Sequence, residues 1–374
     1  MKAIANQGIS ASMKVLLLRA NPRKIGFTQR LADMFLQGLR ETPARITDVD
    51  LAEQRILPCL GCYHCRLITP GQCVIEDDMS ALLEQVLEAD VLVCATPLYY
   101  YSMSSILKAF FERTFPLTRE GLSPSACGGL RNNIRHPDRW KGKRLITIIA
   151  GALNDINVFR PANETFQLIA DSLDLELGGQ LTRPESYLLD YPLSKPMALK
   201  RIEAAFIQAG REAGATGRLS PETQSAASLP LSADLEHFRA YSNIYWAQAV
   251  QMGAEGMAPR NVQARVSEDV RILIREMVRC LDPGAAARTR AVLQFDFPDE
   301  QRHFRVTVDH GRVRLEESTT ARPDLRVRCD AGVWARVFTR QIDVRRALLD
   351  RQLVLEGDKS LFARLDRLFP PPSA

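Results

Sequence analysis

Apolar residues in the first half of the chain come in short continuous runs separated by amphipathic stretches, a rhythm that predicts strands alternating with helices. The run Lys14 to Arg19 (KVLLLR) reads as a buried parallel strand, and Thr28 opens a helix with Leu31, Met34, Phe35 and Leu39 on one face. Further strands are expected at Arg45 to Leu51, Val91 to Thr96, Arg144 to Ala150 and near Leu175 to Leu181. Helices are expected at Met79 to Glu88, with Asp78 as the cap, and at Ser104 to Thr114. The stretch GLSPSACGGLRNNIRHPDRWKGK reads as a polar, glycine-rich connection. The alternation predicts an α/β fold with a five-stranded doubly wound parallel sheet.

Beyond residue 215 the pattern changes. GATGRLSPETQSAASLPLS reads as a linker, and a helical stripe of Phe238, Tyr241, Ile244, Tyr245 and Val250 reads as packing surface rather than a cofactor box. From Val262 helices and strands are grouped instead of alternating. A helix is expected over Glu268 to Leu281, then strands in AVLQFDF, HFRVTV, RVRLEES and LRVRC. Helices around Ala331 to Phe338, Val344 to Leu349 and Lys359 to Phe369 follow. That is an α+β layout, expected to hold an antiparallel sheet. The organisation is thus a disordered leader over 1–12, an α/β domain over 13–215, a linker and packing helix over 216–261, and an α+β domain over 262–370.

Ligands of doubly wound sheets bind outside the carboxyl ends of the strands. Three loops leave that edge: Ala20 to Thr28, Pro97 to Met103, and Ala150 to Ile156. In the first, Asn21, Arg23, Thr28 and Gln29 offer donors beside the start of a helix, whose free N–H groups and dipole favour an anion. Neither a P-loop nor a GxGxxG turn is present, and a plain polar turn is the competing reading. The second loop holds Pro97, Leu98, Tyr99, Tyr100, Tyr101, Ser102 and Met103. Three successive tyrosines at a strand end suit a flat aromatic ligand, or else a subunit interface.

Composition narrows the classes without choosing among them. With 374 residues, 46% hydrophobic and 25% charged, the chain has material for two or three cores. The net charge of +5 is modest and arginine is scattered, which argues against a nucleic-acid partner. No apolar run reaches the roughly 20 residues of a membrane span, and the start of the chain lacks a signal-peptide core. A cytoplasmic location with reduced cysteines is the expectation. The five histidines (His64, His136, His237, His303 and His310) have no recognisable nucleophile partner, so no acid, base or nucleophile is assigned.

Half of the eight cysteines fall in one loop, residues 57–77, as C-x2-C-x2-C-x7-C: Cys59, Cys62, Cys65 and Cys73. Thiolates at two-residue intervals wrap one face of a cubane, and ferredoxin sequences begin with the same run. Zinc sites usually set two pairs a dozen or more residues apart. The readings that remain open are a [4Fe–4S] cluster, zinc, and four reduced thiols packing a loop. Cys94 lies in an expected buried strand, while Cys127, Cys280 and Cys329 carry no motif.

Together, NPRKIGFT, PCLGCYHCRLITPGQCVIEDDM, DVLVCATPLYYYSMSSILKAFFER and RWKGKRLITIIAG resemble the flavodoxin-like NAD(P)H-dependent FMN reductase family, and within it the iron–sulfur flavoproteins, over about 13–215. The resemblance implies FMN as cofactor and NAD(P)H as co-substrate. It puts phosphate on Ala20 to Thr28, the flavin ring on Thr96 to Ser104, and Gly151 with Ala152 on the ring's other side. Ile25 and Phe27 stand where the family has polar residues. It also implies cluster ligation by the four cysteines and a homodimer or homotetramer. A second resemblance, to the SCP2 (sterol carrier protein 2) domain, covers about 265–370 and rests on RPDLRVRCDAGVWARV and ALLDRQLVLEGDKSLFARL. It implies a lipid or acyl ligand in a tunnel lined by Phe304, Val306, Val327, Trp334, Phe338, Leu353 and Phe362, residues that equally fill an ordinary core. The expected activity is FMN-dependent reduction of a small or lipophilic, quinone-like electron acceptor. An iron–sulfur electron carrier with a lipid-binding module is the alternative.

Overall fold

In the computed structural model, residues 12–190, 196–232, 234–256, 269–338 and 342–370 are described. The expected leader therefore lies outside the described residues except for residue 12, as does residue 268 at the start of an expected helix. Two compact units form, Met1–Leu189 with Ala198–Leu231, and Asp190–Met197 with Ser232–Ala374.

The first unit runs β1 (Lys14–Arg19), α1 (Phe27–Arg40), β2 (Arg45–Asp50), α2 (His64–Leu67), α3 (Met79–Glu88), β3 (Val91–Pro97) and α4 (Ser105–Glu112). It continues with β4 (Thr118–Pro124), β5 (Leu130–Ile134), β6 (Arg144–Ala150), α5 (Arg160–Ser172), β7 (Glu176–Arg183), α6 (Pro196–Thr216) and α7 (Pro221–Ala227). The main sheet is parallel throughout, in the order β2-β1-β3-β6-β7, the flavodoxin-like winding. Because side chains alternate along a strand, β1 feeds two cores. Leu16 and Leu18 join Leu92 and Cys94 against α3, α4 and α5, while Val15 and Leu17 are buried on the face opposite.

Three local readings are corrected. The glycine-rich connection after α4 contains the hairpin β4–β5, with a bulge between Arg119 and Leu122. Its turn is tied to the body by Asp171, which accepts from Ser125 Oγ at 2.5 Å and Ala126 N at 2.8 Å. The stretch read as a linker carries α7, capped by Ser220, and Leu219 N donates to Gly178 O at 2.8 Å, so this segment packs against β7. Asp78 makes no side-chain cap on α3; its carboxylate accepts from Arg55 N at 2.7 Å, and the neighbouring Asp77 accepts from Met79 N.

The second unit holds α8 (Leu235–Ala254), the helix Val270–Arg279, and strands β8 (Arg290–Phe297), β9 (Arg302–Asp309), β10 (Arg312–Glu316), β11 (Leu325–Cys329) and β12 (Leu353–Gly357). Helices Pro283–Ala286, Ala331–Phe338, Val344–Leu349, Lys359–Ala363 and Leu365–Leu368 are its others among the described residues, so the expected last helix is two short ones. The sheet order is β10-β9-β8-β11-β12, and it is mixed rather than antiparallel, because β11 pairs parallel to β8. Phe304, Val306, Val327, Trp334 and Leu353 are buried in one core, with Phe338 and Phe362 half-buried at its margin.

Candidate functional site

The three loops named from sequence do meet at the carboxyl edge of the first sheet. Ala20 N donates to Ala95 O at 2.8 Å, joining the loop after β1 to β3. Ser104 then binds the first two loops together. Its hydroxyl donates to Ala20 O at 2.6 Å and accepts from Leu107 N at 3.4 Å as the cap of α4, and its N–H donates to Thr96 Oγ1 at 3.0 Å. Leu98 N donates to Ala150 O at 2.7 Å, and Gly151 N to Arg183 O at 2.9 Å, which brings in the third loop.

In the first loop Asn21 and Thr28 are buried and Arg23 is exposed. Asn21 Nδ2 donates to Arg23 O, while Asn21 Oδ1 and Gln29 Oε1 are buried with no hydrogen-bond partner. The start of α1 has no side-chain cap and no acidic residue in its first turn, so its N–H groups remain available to an anion. Lys24 pairs with Glu53 at 2.7 Å, and that hydrogen bond raises the lysine pKa and lowers that of Glu53. Gln29 lines an open cleft of about 460 Å³ with Arg19, Asp33, Asp48, Asp50 and Glu53. Those carboxylates make that cleft a poor neighbour for phosphate, so Gln29 stands apart from Asn21 and Thr28.

In the second loop Tyr99 and Ser102 exchange backbone hydrogen bonds of 2.9 and 3.0 Å around a two-residue turn. Tyr100 and Tyr101 take φ of 46° and 64°, the left-handed region that non-glycine residues occupy at a cost. Tyr100 is 99% exposed, Tyr99 and Tyr101 are partly so, and Met103 is buried. These rings present flat apolar surface without filling the core. Gly151 lies where a Cβ would stand 2.6 Å from Phe159 Cζ and 3.3 Å from Leu98 Cδ2, so only glycine lets the second and third loops close together. Ala152 beside it is exposed.

The donors, the uncapped helix start, the flat aromatic turn and the close-packed glycine are what a phosphate-bearing planar cofactor needs, and the residues present fit FMN. The resemblance placed Thr96 and Ser104 at the two ends of the flavin loop but gave neither a bond to the loop after β1. Serine ahead of an apolar helical stretch signals a cap, but its second bond, to a carbonyl 84 residues away, has no local signature.

The cysteine loop leaves β2 at the same edge. Its stem is closed by a buried ion pair, Arg113 Nη1 to Asp77 Oδ2 at 2.7 Å, with both side chains at 1% exposure or less. Leu57 is gripped from both sides, its N–H by Asp77 at 2.9 Å and its carbonyl by Arg113 at 2.7 Å. Burial pushes the Asp77 pKa up, but the hydrogen bonds from Arg113, Leu57 N and Met79 N outweigh it and hold the carboxyl below its ordinary value. Farther along, Arg66 donates to Thr118 Oγ1 at 2.8 Å and lies over the Phe115 ring.

The thiols themselves are unevenly placed: Cys59 and Cys62 exposed, Cys73 half-buried, Cys65 buried. Burial, then the nearby Cys73, raises the Cys65 pKa, and Cys59 and Cys62 add to it. Among the described residues, no three His, Cys, Asp or Glu side chains stand in an arrangement that could hold a metal ion. The four cysteines are neighbours, Cys65 sensing the charge of the other three, but no three of them converge on a point that a single ion would occupy. Cys94 is fully buried in β3 and desolvation pushes its thiol far up, as for a packing residue.

Comparison with known proteins bears on both units. Residues 13–158 match the family model for NADPH-dependent FMN reductase, and residues 278–370 that for the SCP-2 sterol transfer family. An iron-sulfur flavoprotein of Archaeoglobus fulgidus is 32% identical over 117 residues, 31% of this chain and 52% of the relative. One from Methanocaldococcus jannaschii is 32% identical over 105 residues, covering 28% and 53%. The chain thus spans about half the length of the curated relatives it matches. An FMN-dependent NADH-azoreductase of Bacillus anthracis, solved in complex with FMN, aligns at 17% identity and a TM-score of 0.42, over 54% of this chain and 99% of that one. Among the described residues, no helix is long and apolar enough to cross a membrane.

Proposed function

We propose that this chain, whose residues 13–158 match the family model for NADPH-dependent FMN reductase and whose residues 278–370 match that for the SCP-2 sterol transfer family, is an FMN-dependent NAD(P)H oxidoreductase that reduces a small or lipophilic, quinone-like acceptor. The observation that carries this reading is the convergence of three loops through Ser104, Ala20, Leu98 and Gly151 beside the uncapped start of α1.

FMN, when bound, supplies a ring that takes hydride from a nicotinamide and releases electrons singly or in pairs. The chain supplies orientation. The α1 N–H groups, Asn21, Thr28 and Arg23 would hold the phosphate. The segment from Pro97 to Met103 would place Tyr99, Tyr100 and Tyr101 along the ring, opposite Gly151 and Ala152. Buried Met103 and half-buried Leu98 would keep water from the inner edge. The exposed Tyr100 ring offers a landing surface for a second flat molecule. The apolar core of the second unit is suited to an apolar acceptor or lipid, and exposed rings at the flavin edge suit a second copy of the chain.

Reconstitution with FMN followed by NADH and NADPH oxidation, with and without a soluble quinone, tests this reading. Failure to retain FMN overturns it. A second reading, an iron–sulfur electron carrier, is favoured by the C-x2-C-x2-C-x7-C spacing and by relatives named iron-sulfur flavoproteins. Iron and acid-labile sulfide in anaerobically purified protein decide it: near four of each per chain supports it, and their absence removes it.

A further inference from the structure

In the second unit Trp334 is only 4% exposed, yet its indole N–H has no hydrogen-bond partner. Its surroundings explain why. Phe295 lies edge-on at 5.1 Å between ring centroids, and Phe297 and Phe338 both lie at 6.5 Å. Buried Trp N–H groups normally find an acceptor, and the other two tryptophans obey the rule. Trp140 donates to Arg135 O at 3.1 Å, and Trp246 is 65% exposed to water. A trapped water is a poor answer at Trp334, since it needs two to four polar partners and the neighbouring rings provide none.

Half-buried apolar side chains lie at the margin of the core that holds Trp334. Phe338 follows one turn along the same helix, and Val337, Ile342, Leu348 and Phe362 pack at the margin of the core. A single donor inside hydrocarbon, beside half-wet apolar surface, suits an apolar molecule with one oxygen. Resting on the reading of this unit as an apolar-ligand binder, we infer that Trp334 Nε1–H is its polar contact, taking the carbonyl, carboxyl or hydroxyl oxygen of the ligand. A fatty acid, a sterol and a quinone share that chemistry. The residue discriminates an oxygen-bearing ligand from a pure hydrocarbon.

The three tryptophans give three indole N–H resonances in the full-length protein labelled with ¹⁵N at the indole, and Trp334→Phe assigns one by its loss. Titration with palmitic acid, cholesterol, decylubiquinone and hexadecane separates the sources. The Trp334 proton is expected to move downfield with at least one oxygenated ligand and not with hexadecane. Trp334→Phe, which keeps an aromatic ring, should weaken that ligand roughly 2- to 10-fold and leave hexadecane unchanged. Oxygenated ligands that bind without moving the resonance, and equally well to the variant, would overturn the assignment. If none of the four binds, the apolar-ligand reading itself fails and the Trp334 assignment goes with it. The wild-type resonance reports the contact whether or not the variant folds.

Discussion

The tyrosine turn and the cysteine loop leave the same edge of one sheet, but the first is short and pinned throughout, whereas the second is held at its stem and middle and leaves Cys59 and Cys62 exposed between. Around Tyr99–Ser102, backbone pairing, the Ser104 cap and the Leu98–Ala150 bond fix each residue within a few positions. In the cysteine loop Asp77, Arg113 and Leu57 hold the stem, and α2, the Gly71–Cys65 backbone bond and Arg66 hold the middle, while Cys59 and Cys62 lie exposed between the two anchors. A region held by many local bonds presents a preformed surface. A region held at separate anchors can rearrange between them without unfolding its root.

The sharpest way to break the contrast is at the clamp. Arg113→Met leaves Asp77 charged and buried, so we expect a loss of about 3–5 kcal/mol in denaturant unfolding. The double variant Arg113→Met with Asp77→Leu should recover much of that, because it removes the stranded charge. The pH response follows from the lowered Asp77 pKa. Its contribution is fully present above the unfolded carboxylate value of about 3.9 and is lost as pH falls through the lower folded value. The wild type should therefore lose ground to the double variant in acid melts. If the two track each other, the clamp is not ionic.

At the proposed flavin edge the effects should be smaller in stability and larger in cofactor retention. Gly151→Ala drives a methyl against Phe159 and Leu98, and we expect about 1–3 kcal/mol of destabilisation with weakened FMN binding by fluorescence titration. Ser104→Ala removes the cap of α4 and the Ala20 bond, for about 1 kcal/mol in thermal or denaturant unfolding. Tyr100→Gly removes an exposed ring from a left-handed position, so stability should change by less than about 1 kcal/mol. A larger loss there would mean that the ring packs against something in solution.

The inner parallel strands β1, β3 and β6 were legible because each is an apolar run between breakers, as KVLLLR shows, and burial on both faces leaves little room for another pattern. The hairpin β4–β5 was not, since Leu122 and Leu130 stand exposed among polar residues and the strands form by pairing and by anchorage to Asp171, both distant in sequence. The direction of β11 was hidden for a related reason: alternation says which residues face the core, not which way the neighbour runs. Of the adjacent acids Asp77 and Asp78, composition cannot say which meets Arg113, 36 residues away. The loops of the site were legible as loops, whereas the bonds that gather them depend on the fold.

The Ser104 hydroxyl, shared between Ala20 and α4, has a thermodynamic consequence. Where two recognition loops share one bond, ordering either lowers the entropy cost of ordering the other. A molecule that spans both meets that cost once, whereas a phosphate or a bare flavin ring meets it alone. The two halves of the ligand should thus bind separately with less combined free energy than the intact mononucleotide, and Ser104→Ala should shrink that cooperative surplus.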